Sequence, residues 1–312
     1  MKKITTALVA ILAITLSMPA QANLKNSTSV PTLAVLDTAL DTSIPSIKSR
    51  LIGEACVLDW PSCPNGAKFM EGEGSSVLPM NILSSNNFNH GTQMVSAAIA
   101  RNPNMNILFV RIIGNTRTGA RQNTGVLTVT NALEWVYSNK DKYNVTAIAV
   151  SQGNSKVLRR GASYCPVTAT DTMVDRFYSV GIPVFFPTGN DRDTKRINWP
   201  ACIPNAVAVG GVEVKNLDTP QASRISNYDP NLVDTWAPIT SDVLLPGNKS
   251  GTAYGTSVAN QIAAADYIAL KQAKSNLTLD QLIGLIKSTS TSVANPLKQN
   301  IFMFNLGAAL NG

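Results

Sequence analysis

The sequence feature that most constrains the fold is a series of short, almost wholly apolar runs. They are rich in β-branched residues and do not alternate polar with apolar positions, as expected for strands buried on both faces of a parallel sheet. The runs cover residues 33–36, 106–113, 145–150, 182–186 and 206–212. Because helical stretches separate them, the sequence predicts an α/β fold: a doubly wound, mainly parallel central sheet with helices on both faces.

Amphipathic stretches predict the helices between and after these strands. The last of them begins with Thr278-x-x-Gln281, a capping box. The loops are rich in Gly, Asn, Ser and Pro, and several are long, which is typical of functional segments. The predicted helices cover 91–101, 125–139, 170–180, 257–273 and 278–288, and the predicted loops cover 53–75, 114–124, 154–169, 190–205 and 215–255.

Composition is that of a globular protein. Hydrophobic residues make up 44% and charged residues 14% of the 312 residues, which excludes a disordered chain. A chain of this length buries a substantial core. The sequence contains no internal repeat and no clear linker. We therefore expect one domain over residues 23–312.

The first 22 residues predict a secretory signal peptide. Lys2 and Lys3 precede the apolar run 7–16, and residues 20–22 read Ala-Gln-Ala, a small-x-small cleavage site. The run is shorter than the roughly 20 residues that a membrane span needs, and no later segment is long and apolar enough. We expect a secreted chain that begins near Asn23, is periplasmic or extracellular, and has no stable membrane anchor.

The formal net charge of +7 would fall by two with the loss of Lys2 and Lys3. A basic balance can favour anionic surfaces or acidic substrates, but an ordinary solvated basic surface is the simpler interpretation. The basic residues are scattered along the chain and form no dense stripe of the kind that binds nucleic acid. We expect no nucleic-acid partner.

Four cysteines follow the signal: Cys56, Cys63, Cys165 and Cys202. Export places them in an oxidising compartment, where disulfides form. Three pairings are possible, and proximity in the sequence favours Cys56–Cys63 with Cys165–Cys202. The spacings do not match the cysteine pairs of zinc sites. We expect no metal and no cofactor.

Four polar residues stand at the ends of predicted elements. Asp37 ends the first strand, at the edge of a parallel sheet where ligands and catalytic groups gather. His90 is the only histidine, Asn190 follows a strand, and Ser257 begins an Ala-rich helix. Each of them alone is more often a surface, turn or helix-cap residue than a catalytic one. A helix N-terminus also offers N–H groups and partial positive charge to a developing oxyanion at Ser257.

In their order and context these residues resemble the subtilisin-like serine proteases, the subtilases. The resemblance extends over residues 32–290 and implies the subtilisin-like fold and a serine-type endopeptidase, a hydrolase. The matching segments are VLDT (35–38), HGT (90–92), AIAVSQG (147–153), VFFPTGN (184–190) and GTS (255–257).

The resemblance assigns a catalytic triad and an oxyanion hole. Ser257 would be the nucleophile and His90 the base that takes its proton. Asp37 would orient the imidazole ring, and the Asn190 side chain with the Ser257 N–H would hold the oxyanion. Because a histidine base must be neutral, activity is expected to increase through neutral pH.

The resemblance also implies how a polypeptide substrate would bind. The substrate would pair as an added β-strand with residues 151–153 and with a loop at about 115–119. Residues after the strand 182–186 would line the primary pocket, and a Cys165–Cys202 disulfide would steady the neighbouring loops. The residues implied to contact substrate are Ser151, Gln152, Gly153, Pro187, Thr188 and Gly189.

The sequence also departs from the family pattern. Asn260 and Gln261 replace a proline-containing step, which predicts a straighter helix after Ser257. Pro45 is followed by Ser46 rather than by a carboxylate, so no calcium is predicted there.

Only 14 residues separate Ala22 from Asp37, which is too few for a folding propeptide. Either the chain folds unaided, or a folding partner or inhibitor acts in trans, or its activity is low. We expect a monomer.

Two other functions are alternatives to a serine endopeptidase. The first is a pseudoprotease, a catalytically weak or inactive subtilase-fold binding protein. The divergent helix after Ser257 and the missing propeptide favour it, whereas the four catalytic-type residues oppose it. The second is an esterase or lipase. The absence of a Gly-x-Ser-x-Gly motif around Ser257 and the order Asp, His, Ser disfavour it.

Overall fold

A computed structural model describes residues 30–122, 124–154, 165–214, 220–294 and 300–312. Thirteen strands and eight helices lie in this part of the chain. The strands are β1 (Thr32–Asp37), β2 (Leu51–Val57), β3 (Phe69–Glu71), β4 (Asn106–Arg111), β5 (Val145–Val150), β6 (Val184–Pro187), β7 (Val207–Glu213), β8 (Gln221–Ala222), β9 (Thr235–Pro238), β10 (Thr240–Leu245), β11 (Lys249–Tyr254), β12 (Thr291–Val293) and β13 (Ile301–Met303). The helices are α1 (Pro45–Lys48), α2 (Met80–Leu83), α3 (His90–Arg101), α4 (Val126–Asn139), α5 (Ala169–Ser179), α6 (Thr256–Ala273), α7 (Leu279–Thr289) and α8 (Leu306–Asn311).

The central sheet has the order β12-β13-β9-β7-β6-β5-β1-β4-β2-β3, and β8 pairs with β7. Its middle strands are parallel, and β1 lies between β4 and β5. The chain builds one side of the sheet before β5 and the other side afterwards, so the strand order reverses at β1. Ligands of open α/β sheets bind at such a switch point, beyond the carboxyl ends of the strands. Asp37 is the last residue of β1.

Alternation along β1 decides which helices each side chain meets. Leu33 and Val35 belong to the apolar cluster that contains residues of α3 and α6. Ala34 and Leu36 belong to the cluster on the opposite face, with α4 and α5. Because successive side chains of a strand point to opposite faces, Asp37 shares the face of Leu33 and Val35. It therefore lies on the side of α3 and α6.

All five predicted strands and all five predicted helices are present, with ends that differ by at most two residues. The loop prediction is wrong in two places. The predicted loop 53–75 contains most of β2 and all of β3, and the predicted loop 215–255 contains β8, β9 and the two-stranded β10–β11 sheet. Strand β2 contains Gly53 and Glu54, which are unusual in buried strands. The Glu54 carboxylate is satisfied by the N–H groups of Gly74 and Ser76 at 3.3 Å.

Helix α6 is buried around most of its circumference and packs on both α3 and the sheet. It continues without a break through the two amides that replace the proline step. The Asn260 amide donates to the main-chain oxygens of Val150 and Phe185 at 3.4 and 3.3 Å. Gln261 Nε2 donates to Ser151 Oγ at 2.9 Å. These side chains tie α6 to the ends of β5 and β6.

The structure contains both expected disulfides, Cys56–Cys63 and Cys165–Cys202, with Cα–Cα distances of 5.9 and 5.2 Å. Among the described helices none is long and apolar enough to cross a membrane. The same residues contain no cluster of three or more His, Cys, Asp or Glu side chains that could hold a metal ion. The predicted signal peptide lies outside the described residues.

Candidate active site

Asp37 is fully buried at the switch point, and its carboxylate accepts hydrogen bonds from the groups around it. Its Oδ1 accepts from the Thr38 N–H at 2.6 Å and from His90 Nδ1 at 2.8 Å. Its Oδ2 lies 3.0 Å from the same ring nitrogen. A buried carboxylate is costly unless it is paired and hydrogen-bonded, and these donors satisfy that requirement.

His90 is the first residue of α3, and its side chain is 28% exposed. The start of that helix is fixed by Thr38, whose Oγ1 donates to the Phe88 oxygen at 2.8 Å and accepts from the Gly91 N–H at 2.9 Å. Because a carboxylate only accepts hydrogen bonds, Nδ1 carries a proton. In the neutral ring Nε2 then holds a free lone pair, which can accept a proton.

Ser257 is the second residue of α6 and is partly exposed between buried neighbours. Gly255 precedes the helix with φ of 149°, a conformation that favours glycine. The Ser257 hydroxyl donates to the Ser151 main-chain oxygen at 3.4 Å, and Ser151 Oγ donates to the Ser257 oxygen at 3.2 Å. Within the described part of the chain no hydrogen bond joins Ser257 to His90.

Asn190 lies exposed beside the start of α6. Its side-chain oxygen accepts from the Thr256 N–H at 2.9 Å and from Thr256 Oγ1 at 3.0 Å. These contacts fix the carboxamide and satisfy one of the N–H groups that every helix start leaves unpaired. The Asn190 amide nitrogen makes no hydrogen bond to another described residue, so its two N–H groups remain as donors next to Ser257.

The residues implied to contact substrate fall into two groups. Gln152 and Gly153 line a small cavity of about 160 Å³ together with Arg121 and Trp199. Ser151 is buried beneath them. Pro187, Thr188 and Gly189 are not among the residues that line this cavity.

The second group, residues 187–189, is positioned by contacts with buried or partly buried residues beneath it. Thr188 is buried and its hydroxyl contacts Ser226 Oγ at 3.2 Å. Gly189 has φ of 106°, and a Cβ there would lie 2.3 Å from Asn198 and 2.5 Å from Asn227. Only glycine fits at this position, which follows β6 and directly precedes Asn190.

Two contributors to the site were missed from the sequence. Thr256, which anchors Asn190, is adjacent to Ser257 and carries the signal of a helix cap. Arg121 donates to Gln152 Oε1 at 2.5 Å, and no pattern in the sequence predicts this contact. Arg121 is exposed as a residue, but protein atoms around its guanidinium partly desolvate the charge and lower its pKa, whereas the Asp37 carboxylate raises it.

The architecture is shared with solved structures of proteases. One is described as a cold adapted subtilisin-like serine proteinase; it aligns with a TM-score of 0.63 at 20% identity, over 88% of this chain and 87% of that one. A lanthipeptide protease aligns with a TM-score of 0.67 at 16% identity, over 90% and 86%. At these identities the likeness establishes the fold: the chain has the subtilisin-like α/β fold.

The sequence comparisons assign the family. The model of the Subtilase family matches residues 28–307, and the chain therefore belongs to that family. Subtilisin NAT of Bacillus subtilis subsp. natto is 26% identical over 290 residues, which cover 89% of this chain and 65% of that protein. Subtilisin of Bacillus pumilus is also 26% identical, with 89% and 90% covered. The chain spans 65% of the length of the first of these relatives.

Proposed function

We propose that this chain is an exported serine endopeptidase that hydrolyses peptide bonds through an acyl-enzyme. Ser257 is the nucleophile, His90 the general base and Asp37 the residue that orients the imidazole. The Asn190 amide and the Ser257 N–H form the oxyanion hole. Membership of the Subtilase family and the relatedness to subtilisins support the reaction class.

The observation that carries the proposal is the paired contact between His90 Nδ1 and the buried Asp37 carboxylate, at 2.8 and 3.0 Å. It fixes the tautomer that leaves Nε2 as a base. The ring lies at the start of α3, on the same face of the sheet as α6, whose second residue is Ser257. A base, a serine hydroxyl and a helix N-terminus on one face of a switch point are the parts that acyl transfer requires.

The residues act in two steps. His90 Nε2 takes the Ser257 proton while Oγ attacks the peptide carbonyl carbon, and the Asn190 amide and the Ser257 N–H stabilise the negative oxygen. The protonated ring then gives its proton to the leaving amine, and the acyl group stays on Ser257. Water, activated by the same ring, hydrolyses the ester and regenerates the serine.

The proposed substrates are polypeptides that pair in extended form with residues 151–153. The location is proposed to be outside the cytoplasm. Two disulfides and the amino-terminal signal pattern support it, because disulfides persist in oxidising compartments.

One observation favours a second function, that of a catalytically weak or inactive binding protein with the subtilase fold. The Ser257 hydroxyl is bonded to the Ser151 main-chain oxygen at 3.4 Å rather than to His90. Catalytic hydrogen bonds of resting enzymes are often long and tighten with substrate, so this geometry is compatible with activity. Labelling of the serine separates the two functions.

The test uses purified protein, its Ser257→Ala variant and a control, Ser288→Ala, which changes an exposed serine in α7. Each is incubated with unfolded casein and with a fluorophosphonate probe, which labels only activated serines. The proposal expects cleavage and labelling in the wild type and in Ser288→Ala, and neither in Ser257→Ala. Folded wild type that gives neither signal would instead be the binding protein.

A further inference from the structure

Gln152 occupies the space between the Asp37 carboxylate and Arg121. Its Nε2 donates to Asp37 Oδ1 at 3.0 Å, and its Oε1 accepts from the Arg121 guanidinium at 2.5 Å. Gln152 Nε2 also lies 3.4 Å from His90 Nδ1. Both of these nitrogens carry hydrogens, so they stand side by side as donors to the same carboxylate oxygen.

The orientation of the Gln152 amide is fixed by its two partners. A guanidinium can only donate hydrogen bonds, and a carboxylate can only accept them. The amide oxygen must therefore face Arg121 and the amide nitrogen must face Asp37. The reverse orientation would oppose two donors at one end and two acceptors at the other.

The segment that carries Arg121 is built to hold it in place. Asn115 and Arg121 form a β-bridge, and the Thr116 N–H donates to the Ala120 oxygen at 2.9 Å. Asn115 Oδ1 in turn accepts from the guanidinium of Arg111 at 2.6 Å. Arg111 is fully buried and also donates to the Ser62 oxygen, inside the Cys56–Cys63 loop. A disulfide-closed loop and a buried arginine thus anchor the turn that presents Arg121.

We propose that Gln152 and Arg121 are positioning residues that hold the Asp37 carboxylate against His90 and withdraw part of its charge from the ring. The inference rests on the proposed function, because it presupposes that His90 is the general base. It adds to the role implied for Gln152, which was contact with substrate alone.

The direction of the effect follows from electrostatics. Asp37 favours the protonated form of the His90 ring, whereas a donor on Oδ1 and a nearby cation both oppose it. Within the described residues, Asp37 and Arg121 are the charged groups joined to this ring directly or through Gln152. The pair Gln152–Arg121 therefore weakens the negative potential that the Asp37 carboxylate exerts on the His90 ring.

The experiment follows the ring directly. His90 is the only histidine, so ¹⁵N-histidine labelling gives NMR signals from this one imidazole. Protein carrying Ser257→Ala, which cannot digest itself, is titrated with and without Gln152→Leu, Gln152→Glu or Arg121→Met. The pH at which the ring protonates should increase by about 0.5–1 unit in Gln152→Leu. A shift of this size corresponds to the free energy of one hydrogen bond. Gln152→Glu, which opposes two carboxylates, should give a larger increase, and Arg121→Met a smaller one.

Two controls separate a local effect from net charge. Gln272→Glu makes the same charge change near the far end of α6, and Arg117→Met removes a cation from the same exposed turn as Arg121. In both variants the His90 ring should protonate at the same pH as in the parent protein. Arg121→Lys, which retains the cation and a donor, should restore most of the Arg121→Met shift.

Failure of the positioning role and failure of the proposed function give different results. If wild type with Ser257 intact labels with the fluorophosphonate probe but the three variants titrate like the parent, the positioning role is wrong and the enzyme proposal stands. If wild type does not label, the enzyme proposal fails whatever the titrations show. A shift to lower pH in Gln152→Leu would also overturn the inference.

Discussion

The Asp37–His90 part of the site is fixed by several hydrogen bonds of 2.6–3.0 Å, whereas the Ser257 hydroxyl makes one contact of 3.4 Å. The first part lies against β1 and α3, and its carboxylate is sealed from water. The second lies at the partly exposed start of α6. Under the proposed function, the base is oriented in advance and the nucleophile is loosely held, so the Ser257–His90 contact would form when substrate binds.

The largest expected loss of activity comes from a substitution in the Asp37–His90 part of the site. Asp37→Asn removes the acceptor that fixes the His90 tautomer, and kcat should fall by roughly 10⁴-fold at neutral pH. Steady-state kinetics on a peptide substrate measure it. Asp229→Asn, at another buried aspartate, should retain activity. A loss confined to KM would show that Asp37 does not act through the ring.

A smaller loss is expected from the looser part. Asn190→Asp keeps the oxygen that accepts from the Thr256 N–H but replaces the amide donor. We expect kcat to fall by about 10²–10³-fold with little change in KM, because the oxyanion exists only in the transition state. Asn190→Ala should lose a similar factor and also stability, since it removes the cap of α6. Equal activity in Asn190→Asp and wild type would exclude the oxyanion role.

An ion pair connects α3, which carries His90, to α6, which carries Ser257, and it can be removed without changing either of these two residues. Arg101 ends the helix that begins with His90, and it forms two contacts of 2.6 and 2.9 Å with Asp266 of α6. Burial raises the pKa of Asp266, and the contact with Arg101 opposes that shift. Arg101→Met would leave the carboxylate buried without a counter-charge, and unfolding in urea should show a loss of about 2–3 kcal/mol.

The pH dependence of this loss has a defined sign. Without Arg101 the pKa of Asp266 rises further in the folded protein, so the folded state binds a proton more readily than the unfolded chain. The penalty is therefore largest above the folded pKa and shrinks as the pH falls through it. Asp266→Asn in the Arg101→Met protein should recover most of the stability. A penalty that is constant with pH would point to lost packing of the Arg101 side chain instead.

The smallest expected effect is the difference in stability between variants that lack one or the other disulfide. Their sequence separations are 7 and 37 residues. The longer loop loses more chain entropy on closure, so replacing Cys165 and Cys202 by serine should destabilise the protein by roughly 1–1.5 kcal/mol more than replacing Cys56 and Cys63. Thermal unfolding of the two double variants measures the difference. The Cys56–Cys63 variant should show the larger change in activity, because its loop supports the Arg121 turn.

The framework of the fold could be predicted because its signals are local. Buried parallel strands are continuous apolar runs, and the ends of β1 and β6 and the start of α6 place Asp37, Asn190 and Ser257 at one edge of the sheet. Strand β2 and the β10–β11 hairpin lack such runs. Glu54 is acceptable in β2 only because distant N–H groups reach it, and no local pattern contains that information.

The contacts within the site were harder to predict for the same reason. Gln152 was expected at the site, but its bonds to Asp37 and Arg121 depend on three segments that meet only in the folded chain. The Ser257–Ser151 contact likewise joins residues 106 positions apart. Such contacts follow from the register of the sheet, which is set by all the strands together.

Because side chains alternate between the two faces along β1, the face on which Asp37 lies depends on whether an even or an odd number of residues precedes it in the strand. One residue inserted between Leu33 and Asp37 would turn the carboxylate to the face of α4 and α5, away from His90, although every element could still form. Two inserted residues would restore the face but move the carboxylate about 6–7 Å along the sheet. We therefore expect this strand to tolerate substitutions far better than changes in length.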